Sequence, residues 1–523
     1  MPRLPEAAFS SIVPDTQRTK LITLTLCVLA GVLYFLNFLS FDLFPLTWIC
    51  FVPVLYAIRN STTKRALLWG WLFGFVTNAG GFYWVVHLIS EFGGTPVFVA
   101  ILGFMVLCAF QGFLMALVIA LVRHADRRLS IAPVWSLPVA LVAIEYAYPL
   151  LFPSYIGNSQ YKFTALTQIV EITGVLGLSA IIGLLNGAVY ELLNAKISAR
   201  RLAPIRVLVP LLILGMSVIY GVLRLPALEQ MIASADTIRV GMVQTNLGSH
   251  DKTNSPRRFM SEHLAMSAEL IEEHPDVDLL VWPESVYDGF IRKDGLEPAN
   301  KAIAALGKPI IMGALSIDDA DGDGRAEYFN SVVLMSAGGK LLSSYDKVEL
   351  LAFGETLPLT RLIPAIGKLG NQNWFTHGSS YRHLRAGEIT FLPTVCYEDI
   401  IPSLPRRIWR HDGPAQVMVN VTNDSWYGDT HEPMIHLVLA SFRSIETRRA
   451  LIRSTNTGIT AIVDPAGRIA QRTDQWTKEN LVADVPLIKD GRSTIYMRAG
   501  DVIAWLALAL VVMGLIRARS RPA

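Results

Sequence analysis

Cysteine is scarce in this chain, four in 523 residues, and charge is scarcer than in a soluble protein of this length, at 17%. The mean hydropathy of +0.40 excludes an ordinary soluble protein and points to a membrane protein. A net charge of only +3, with no basic stripe interleaved with aromatics, excludes nucleic acid as a partner. No A-x-A-like cleavage site follows the first apolar run, and more apolar runs come after it, so it reads as an anchor and not a removed signal peptide. Cys27, Cys50 and Cys108 lie in apolar runs, where a small buried residue needs no further account. Cys396, in "FLPTVCYED", is the only thiol of a long polar stretch and has no second cysteine there to pair with.

Apolar runs of roughly 20 residues, enough to cross a bilayer, are expected as spans at 21–39, 41–58, 67–88, 96–122, 132–151, 165–193 and 207–222, with an eighth at 502–516. Lys and Arg cluster before the first span and after the second, fourth, sixth and eighth, while Lys162 is the exception among the other connections. The positive-inside rule then places both termini in the cytoplasm and the long polar segment outside. The expected division is a seven-span membrane domain (1–225), a folded extracytoplasmic domain (226–495), and a C-terminal span with a basic tail (496–523).

In an outside compartment an unpaired thiol is either a buried hydrophobe or a nucleophile kept free for chemistry. "ITFLPTVCYEDI" reads as a strand over 389–395 that ends at Cys396, the rim position where a ligand is reached. "VDLLVWPES" delivers Glu284 in the same way, and "KLLSSYDKVELLAFGE" delivers Lys347 with Glu355 eight residues on. A thiol, a carboxylate and an ammonium at three strand ends are the parts that acyl transfer needs: nucleophile, base and oxyanion stabiliser.

In that order and in those local contexts the three resemble the Glu-Lys-Cys set of the nitrilase superfamily. "TIRVGMVQTNL", "YFNSVVLMSAGGKLLSSYDKVEL", "VMVNVTNDSWYGDT" and "HLVLASFRSIETRRALIRSTNTGITAIVDPAGRI" extend the resemblance over nearly the whole domain, with Asn423, Asp424, Arg443, Glu446, Arg449 and Asn456 in matching places. The resemblance implies a four-layer α-β-β-α sandwich. It makes Glu284 the general base, Cys396 the thioester-forming nucleophile, and Lys347 the oxyanion stabiliser, aided by a backbone N–H near Tyr397. Glu355, Tyr397 and Glu398 would be supporting residues.

The spans resemble those of the superfamily's membrane-anchored branch, the bacterial apolipoprotein N-acyltransferases, in "FDLFPLTWICFVPVLYAI", "GWLFGFVTNAGGFYWV", "VEITGVLGLSAIIGLLNGAVYEL" and "TIYMRAGDVIAWLALAL". This implies a multi-pass protein of the bacterial cytoplasmic (inner) membrane, with its catalytic domain on the periplasmic side. It would move an acyl chain from a phospholipid to the amine of a diacylglyceryl apolipoprotein, as a monomer and without metal or cofactor. "QTNLGSHDKTN" keeps Gln244 and Asn246 but lacks the branch's tryptophan, "AFGE" replaces "PFGE", and "FPSYIGNSQY" replaces "FPW". These departures touch substrate recognition and leave open a membrane-bound amidase or an acyltransferase for another amine.

Four further signals carry expectations. "DADGDGRAEYFN" has calcium-loop spacing at its start but ends on Asn330, without the bidentate Glu, so an acidic hairpin loop is expected. His431 and His436 in "HEPMIH" are five apart around Pro433, which defeats zinc-protease spacing and makes His436 structural. Glu145 and Glu171, near span ends, are expected at the interface, or else held by a headgroup, an Arg or backbone. Trp426 and Tyr427 are expected to line a substrate pocket.

Overall fold

The computed structural model describes residues 15–199, 201–248, 251, 255–293, 299–318, 326–352, 354–356 and 375–520; residues 319–325 of the acidic loop lie outside them. Each apolar run is mostly helical. Among the described residues six helices are long and apolar enough to cross a membrane: Thr19–Leu39, Phe41–Ile58, Val97–Leu129, Val175–Ile197, Ile205–Ala233 and Val502–Arg519. The expected count of eight is modified at two places. The third run breaks after Gly80 and Gly81, poor helix formers, into Thr63–Gly81 and Val85–Glu91 bent by 70°. The fifth gives only the 15-residue helix Pro133–Ala147, because Pro149 holds Tyr148 in an extended conformation.

Small residues let these helices approach closely, as membrane helix pairs require when no hydrophobic effect drives them together. A side-chain carbon on Gly74 would lie 2.3 Å from the Gly112 carbonyl oxygen of the neighbouring helix. The pair would have to separate to accept one.

After the Ile205–Ala233 helix the periodicity changes from helical to alternating. The first sheet comprises β1 (Asp236–Gln244), β2 (Leu279–Val281), β3 (Phe290–Arg292), β4 (Ile310–Asp318), β5 (Glu327–Met335) and β6 (Leu341–Asp346). The second comprises β7 (Leu384–Ala386), β8 (Ile389–Val395), β9 (Val417–Thr422), β10 (Leu451–Thr455), β11 (Ala461–Val463) and β12 (Ile469–Arg472). A last strand, β13 (Glu479–Leu487), returns to the first sheet beside β1, giving the order β13-β1-β2-β4-β5-β6 with β3 paired to β4; the second sheet runs β12-β11-β10-β9-β8-β7.

The period of two sorts each strand between two cores. In β1, Ile238, Val240 and Met242 join Phe391, Val395, Val419 and Val421 of β8 and β9 in the core between the sheets. The alternate residue Val243 joins a separate core with Phe259, Met266 and Leu270 of the helix Pro256–Glu273. Helices Ser403–Asp412 and Glu432–Thr447 supply Leu404, Ile408, Leu437 and Ala440 on the side of the second sheet. These layers make the expected α-β-β-α sandwich.

One buried ionic cluster joins the two halves of the molecule. Glu171 accepts from Arg448 Nε at 2.7 Å and from Arg224 Nε at 2.7 Å, and also from the Tyr220 hydroxyl. Arg448 further donates to Gln168 Oε1 at 2.7 Å. Glu171 is thus buried and paired with arginines, not left at an interface, and Glu145 is buried with its Oε1 accepting the Ile156 N–H at 2.9 Å. Removing one member of such a cluster strands the others in low dielectric, a cost of about 3–5 kcal/mol. Glu171→Leu is therefore expected to lower the melting temperature in detergent sharply. An unchanged melting curve would show that the cluster does not hold the halves together.

Candidate active site

Three strand ends meet at one rim. β2 ends at Val281 and the chain turns through Pro283 to Glu284; β6 ends at Asp346 and hands on to Lys347; β8 ends at Val395 and hands on to Cys396. Glu284, Lys347 and Cys396 are all buried. Gly313 on β4 makes room for the first: any side-chain carbon there would lie 2.4 Å from Glu284 Cα. The Gly313 N–H and carbonyl also clamp the turn, through Pro283 O at 2.9 Å and the Val286 N–H at 2.9 Å.

The polar groups form a closed array. Lys347 Nζ sits 2.7 Å from Glu355 Oε2. Asn330 Nδ2 donates to both Glu284 Oε1 and Glu355 Oε1, each at 2.7 Å, and the Asn330 carbonyl accepts the Lys347 N–H at 2.8 Å. Glu284 Oε2 is buried without a conventional hydrogen-bond partner, while the thiol of Cys396 interacts with this carboxylate. That leaves Glu284 one oxygen fixed by the amide and one available to the thiol proton.

Burial raises the Glu284 carboxyl above its ordinary range; Lys347 opposes the shift and Glu355 adds to it. Burial alone would lower Lys347, but Glu355, Cys396 and Glu284 together hold it above its usual value, so it stays an ammonium. Burial also pushes the Cys396 thiol up, with Glu284 adding and Lys347 opposing. The Cys396 thiol is therefore held neutral beside the Glu284 carboxyl.

The backbone at Cys396 is left-handed, φ +52°, which costs a side-chain-bearing residue about 1–2 kcal/mol. Two groups hold it there. Asn420 Nδ2 donates to the Cys396 carbonyl at 2.9 Å. Glu398 accepts the Val395 N–H at 2.9 Å and, reaching across to the lysine turn, the Val348 and Glu349 N–H groups at 2.8 and 2.9 Å. Glu398 thus ties the cysteine turn to the lysine turn and is a positioning group. Tyr397 lays its ring 5.7 Å from Lys347 Nζ.

The paired expectations for Trp426 and Tyr427 divide. Tyr427 is buried, edge-on to Trp84 at 5.0 Å between ring centroids, and lines a cavity; Trp426 is 38% exposed and does not line it. His436 lies in a buried ionic network with Asp399 (2.9 Å), Asp424 (3.2 Å) and Arg453, behind the cysteine turn. Arg443 and Glu446 form a two-pronged pair at 2.7 and 2.9 Å that also holds the Ile400 carbonyl. Gln244 and Asn246 lock loops: Gln244 Nε2 donates to Asp474 O at 2.8 Å and Asn246 Nδ2 to Trp476 O at 3.0 Å.

Two residues of this site escape the sequence reading. Asn330 figures there only as the wrong twelfth residue of a calcium loop. Asn420 is the one amide in the otherwise apolar or hydroxyl-bearing strand β9, all six residues of which are buried, and a lone amide in a buried strand is a readable signal.

A cavity of about 70 Å³ lies beneath the cysteine turn. Tyr397, Ile400 and Tyr427 wall it from the sandwich, and Phe38, Phe82 and Phe152 from the membrane half. The cavity thus lies between the sandwich and the apolar helices, and Tyr397, the residue after Cys396, is part of its wall.

Known proteins resemble both halves of the chain. Residues 30–188 match the family model for the apolipoprotein N-acyltransferase N-terminal domain, and residues 239–492 that for carbon-nitrogen hydrolase. An apolipoprotein N-acyltransferase of Geobacter metallireducens is 32% identical over 92% of this chain and 93% of its own length. That of Bdellovibrio bacteriovorus is 27% identical over 94% of each. Among solved structures, Saccharomyces cerevisiae Nit3 of the nitrilase superfamily aligns at 18% identity over 48% of this chain and 90% of its own, with a TM-score of 0.37. With a membrane half and a sandwich half each matched, and relatives aligned nearly end to end, the chain belongs to the apolipoprotein N-acyltransferase family.

Proposed function

We propose that this protein transfers an acyl chain from a phospholipid, through a thioester on Cys396, to the α-amine of the N-terminal diacylglyceryl-cysteine of an apolipoprotein. The observation that carries the reading is the buried Glu284–Asn330–Glu355–Lys347 array beside a free thiol, above a cavity walled partly by membrane helices. A soluble amidase has no use for such walls.

In the first half-reaction the Cys396 sulfur attacks the sn-1 ester carbonyl while Glu284 takes the thiol proton. The oxyanion forms against the Lys347 ammonium and a backbone N–H near Tyr397. Collapse breaks the C–O bond, Glu284 returns the proton to the departing oxygen, and a lysophospholipid leaves. In the second, the acceptor amine attacks the thioester, Glu284 takes the amine proton, and the thiol is restored as the amide forms. The donor supplies its own activated ester, so neither step requires a further co-reactant.

The same reading divides the chain into membrane (1–225), catalytic (226–495) and anchor (496–523) parts, and puts it in the bacterial cytoplasmic (inner) membrane as a monomer. Both termini would be cytoplasmic and the catalytic domain periplasmic. Support comes from the Lys and Arg distribution and from substrates that are themselves lipid-anchored.

With a labelled phospholipid and a diacylated lipopeptide, the purified protein is expected to yield N-acylated peptide, and Cys396→Ala none. Release of free fatty acid alone would replace the amine acceptor with water. Lys347→Met, if it melts as the parent does, is expected to slow turnover by about 10²–10³, the usual worth of one oxyanion donor; a loss under threefold would remove Lys347 from that role.

Acylation also has a defined acid limb. The base must be ionised, so the rate falls as pH drops through the Glu284 pKa. Burial raises that pKa, so the midpoint is expected above the roughly 4.3 of a free glutamate. A midpoint at or below that value, measured as single-turnover acylation against pH, would show that Glu284 is not the base.

A further inference from the structure

The last helix carries two arginines to the face of the membrane half that lies away from the sandwich. Its start is fixed at the sandwich, where Arg406 Nη1 donates to Asp501 Oδ2 at 2.8 Å. From there Val502–Arg519, 18 residues long, rises about 27 Å, close to the depth of a bilayer core. Arg517 and Arg519 are exposed at its far end. There it packs on the turn Ala125–Leu129, which follows the Val97–His124 helix and holds exposed Arg127 and Arg128. A side-chain carbon on Gly514 would stand 3.5 Å from Leu129 Cδ1. Arg517 and Ala518 follow Gly514 by three and four residues, hence on the same face of the helix, and Ala518 is buried. Two pairs of arginines, one from each element, are therefore set within about a turn of a single contact.

Among the described residues no carboxylate pairs with Arg127, Arg517 or Arg519. Asp126, beside Arg127, is committed to Arg123. Glu191, which shares the surroundings of Tyr190 with Asp126, is committed to Arg206 at 2.8 Å. The C-terminal ends of the two helices supply about half a negative charge each, well short of four cations. A preference for Lys and Arg on one side of a membrane accounts for cations in loops. It does not account for packing two groups of them against each other, where like charges repel. The complement is an anion shared between the two elements. Apolar surface adjoins the charges: Ile131, Leu515 and Ile516 are exposed, and Trp135 is half-buried at the start of the Pro133–Ala147 helix. An anion with its own acyl chains meets both demands, whereas a free phosphate meets one.

We propose that the junction of the Ala125–Leu129 turn with the end of the last helix binds an anionic phospholipid bearing two phosphates, a diphosphatidylglycerol. One phosphate lies at Arg127 and Arg128, the other at Arg517 and Arg519. Two phosphates joined by a glycerol divide as the arginines do, whereas a lipid with one phosphate would serve one element only. Basic pockets between membrane helices bind headgroups of this kind. The lipid acts as a brace and not as an acyl donor, because the sandwich that carries Cys396 holds the opposite end of the same helix. The helix has use for a brace: most of its side chains are exposed, and its buried contacts Ala504 and Ala507 lie near its start.

Lipid retention by the full-length protein, read by native mass spectrometry from detergent, is the test. Diphosphatidylglycerol is expected to be retained about tenfold more tightly than phosphatidylglycerol. The triple variant Arg127→Gln/Arg517→Gln/Arg519→Gln is expected to bring that ratio near one. Should it fail to fold, Arg517→Gln/Arg519→Gln, at the exposed helix end, carries the comparison. Lys64→Gln/Arg65→Gln removes charge from the same face, where the nearby Ser61 carbonyl accepts from Arg123 Nε at 2.7 Å, and is expected to leave the ratio as it is. Equal retention of the two lipids by the wild type, or a ratio unmoved in the folded arginine variants, would overturn the proposal. So would an equal loss in the Lys64 and Arg65 variant, which would show that net charge alone attracts the lipid.

Discussion

A buried lysine ammonium must be neutralised where it lies, and the catalytic rim is organised around that requirement. Lys347 is 1% exposed, and an unpaired charge there would cost several kcal/mol. Glu355 meets it directly, and Asn330 ties Glu355 to Glu284. One carboxylate is thereby committed to holding the cation, and the other, Glu284, keeps Oε2 without a conventional hydrogen-bond partner. This explains why two glutamates stand beside a single lysine. It also explains why the spacing amide matters: without Asn330 the two carboxylates would face each other unbridged.

The same rim stores backbone strain at Cys396. A left-handed Cys396 persists because its carbonyl and its flanking N–H groups are bonded by Asn420 and Glu398. Glu398 bonds the lysine turn as well, so the Cys396 and Lys347 turns are fixed relative to each other by one buried carboxylate. On the far side, the Arg453–Asp399–His436–Asp424 network backs the turn with paired charges. Rigidity of this kind suits the acyl transfer proposed above, in which two substrates would meet one sulfur.

Much of this was legible in the sequence because strand ends are legible. The switch from apolar alternation to a single polar residue marked Glu284, Lys347 and Cys396, and β8 begins and ends where the pattern indicates, at Ile389 and Val395. Membrane segments were legible by length and apolarity, but their breaks were not: the 70° bend after Gly81 and the shortening before Pro149 depend on local backbone preferences within runs of uniform hydropathy. Bridging residues were least visible. Asn330 and Asn420 act through partners far away in sequence. Trp426 and Tyr427 show the limit of adjacency, since neighbours on a short turn face opposite ways and only one reaches the cavity.

The account turns on a covalent acyl-enzyme at one sulfur, and intact-mass analysis of the purified protein after incubation with phospholipid, with no acceptor present, tests it most directly. A gain of one acyl chain is expected on the wild type, labile to hydroxylamine as a thioester is, and absent from Cys396→Ala. A wild-type mass that never rises under any lipid composition, or an adduct that persists in Cys396→Ala, would contradict it.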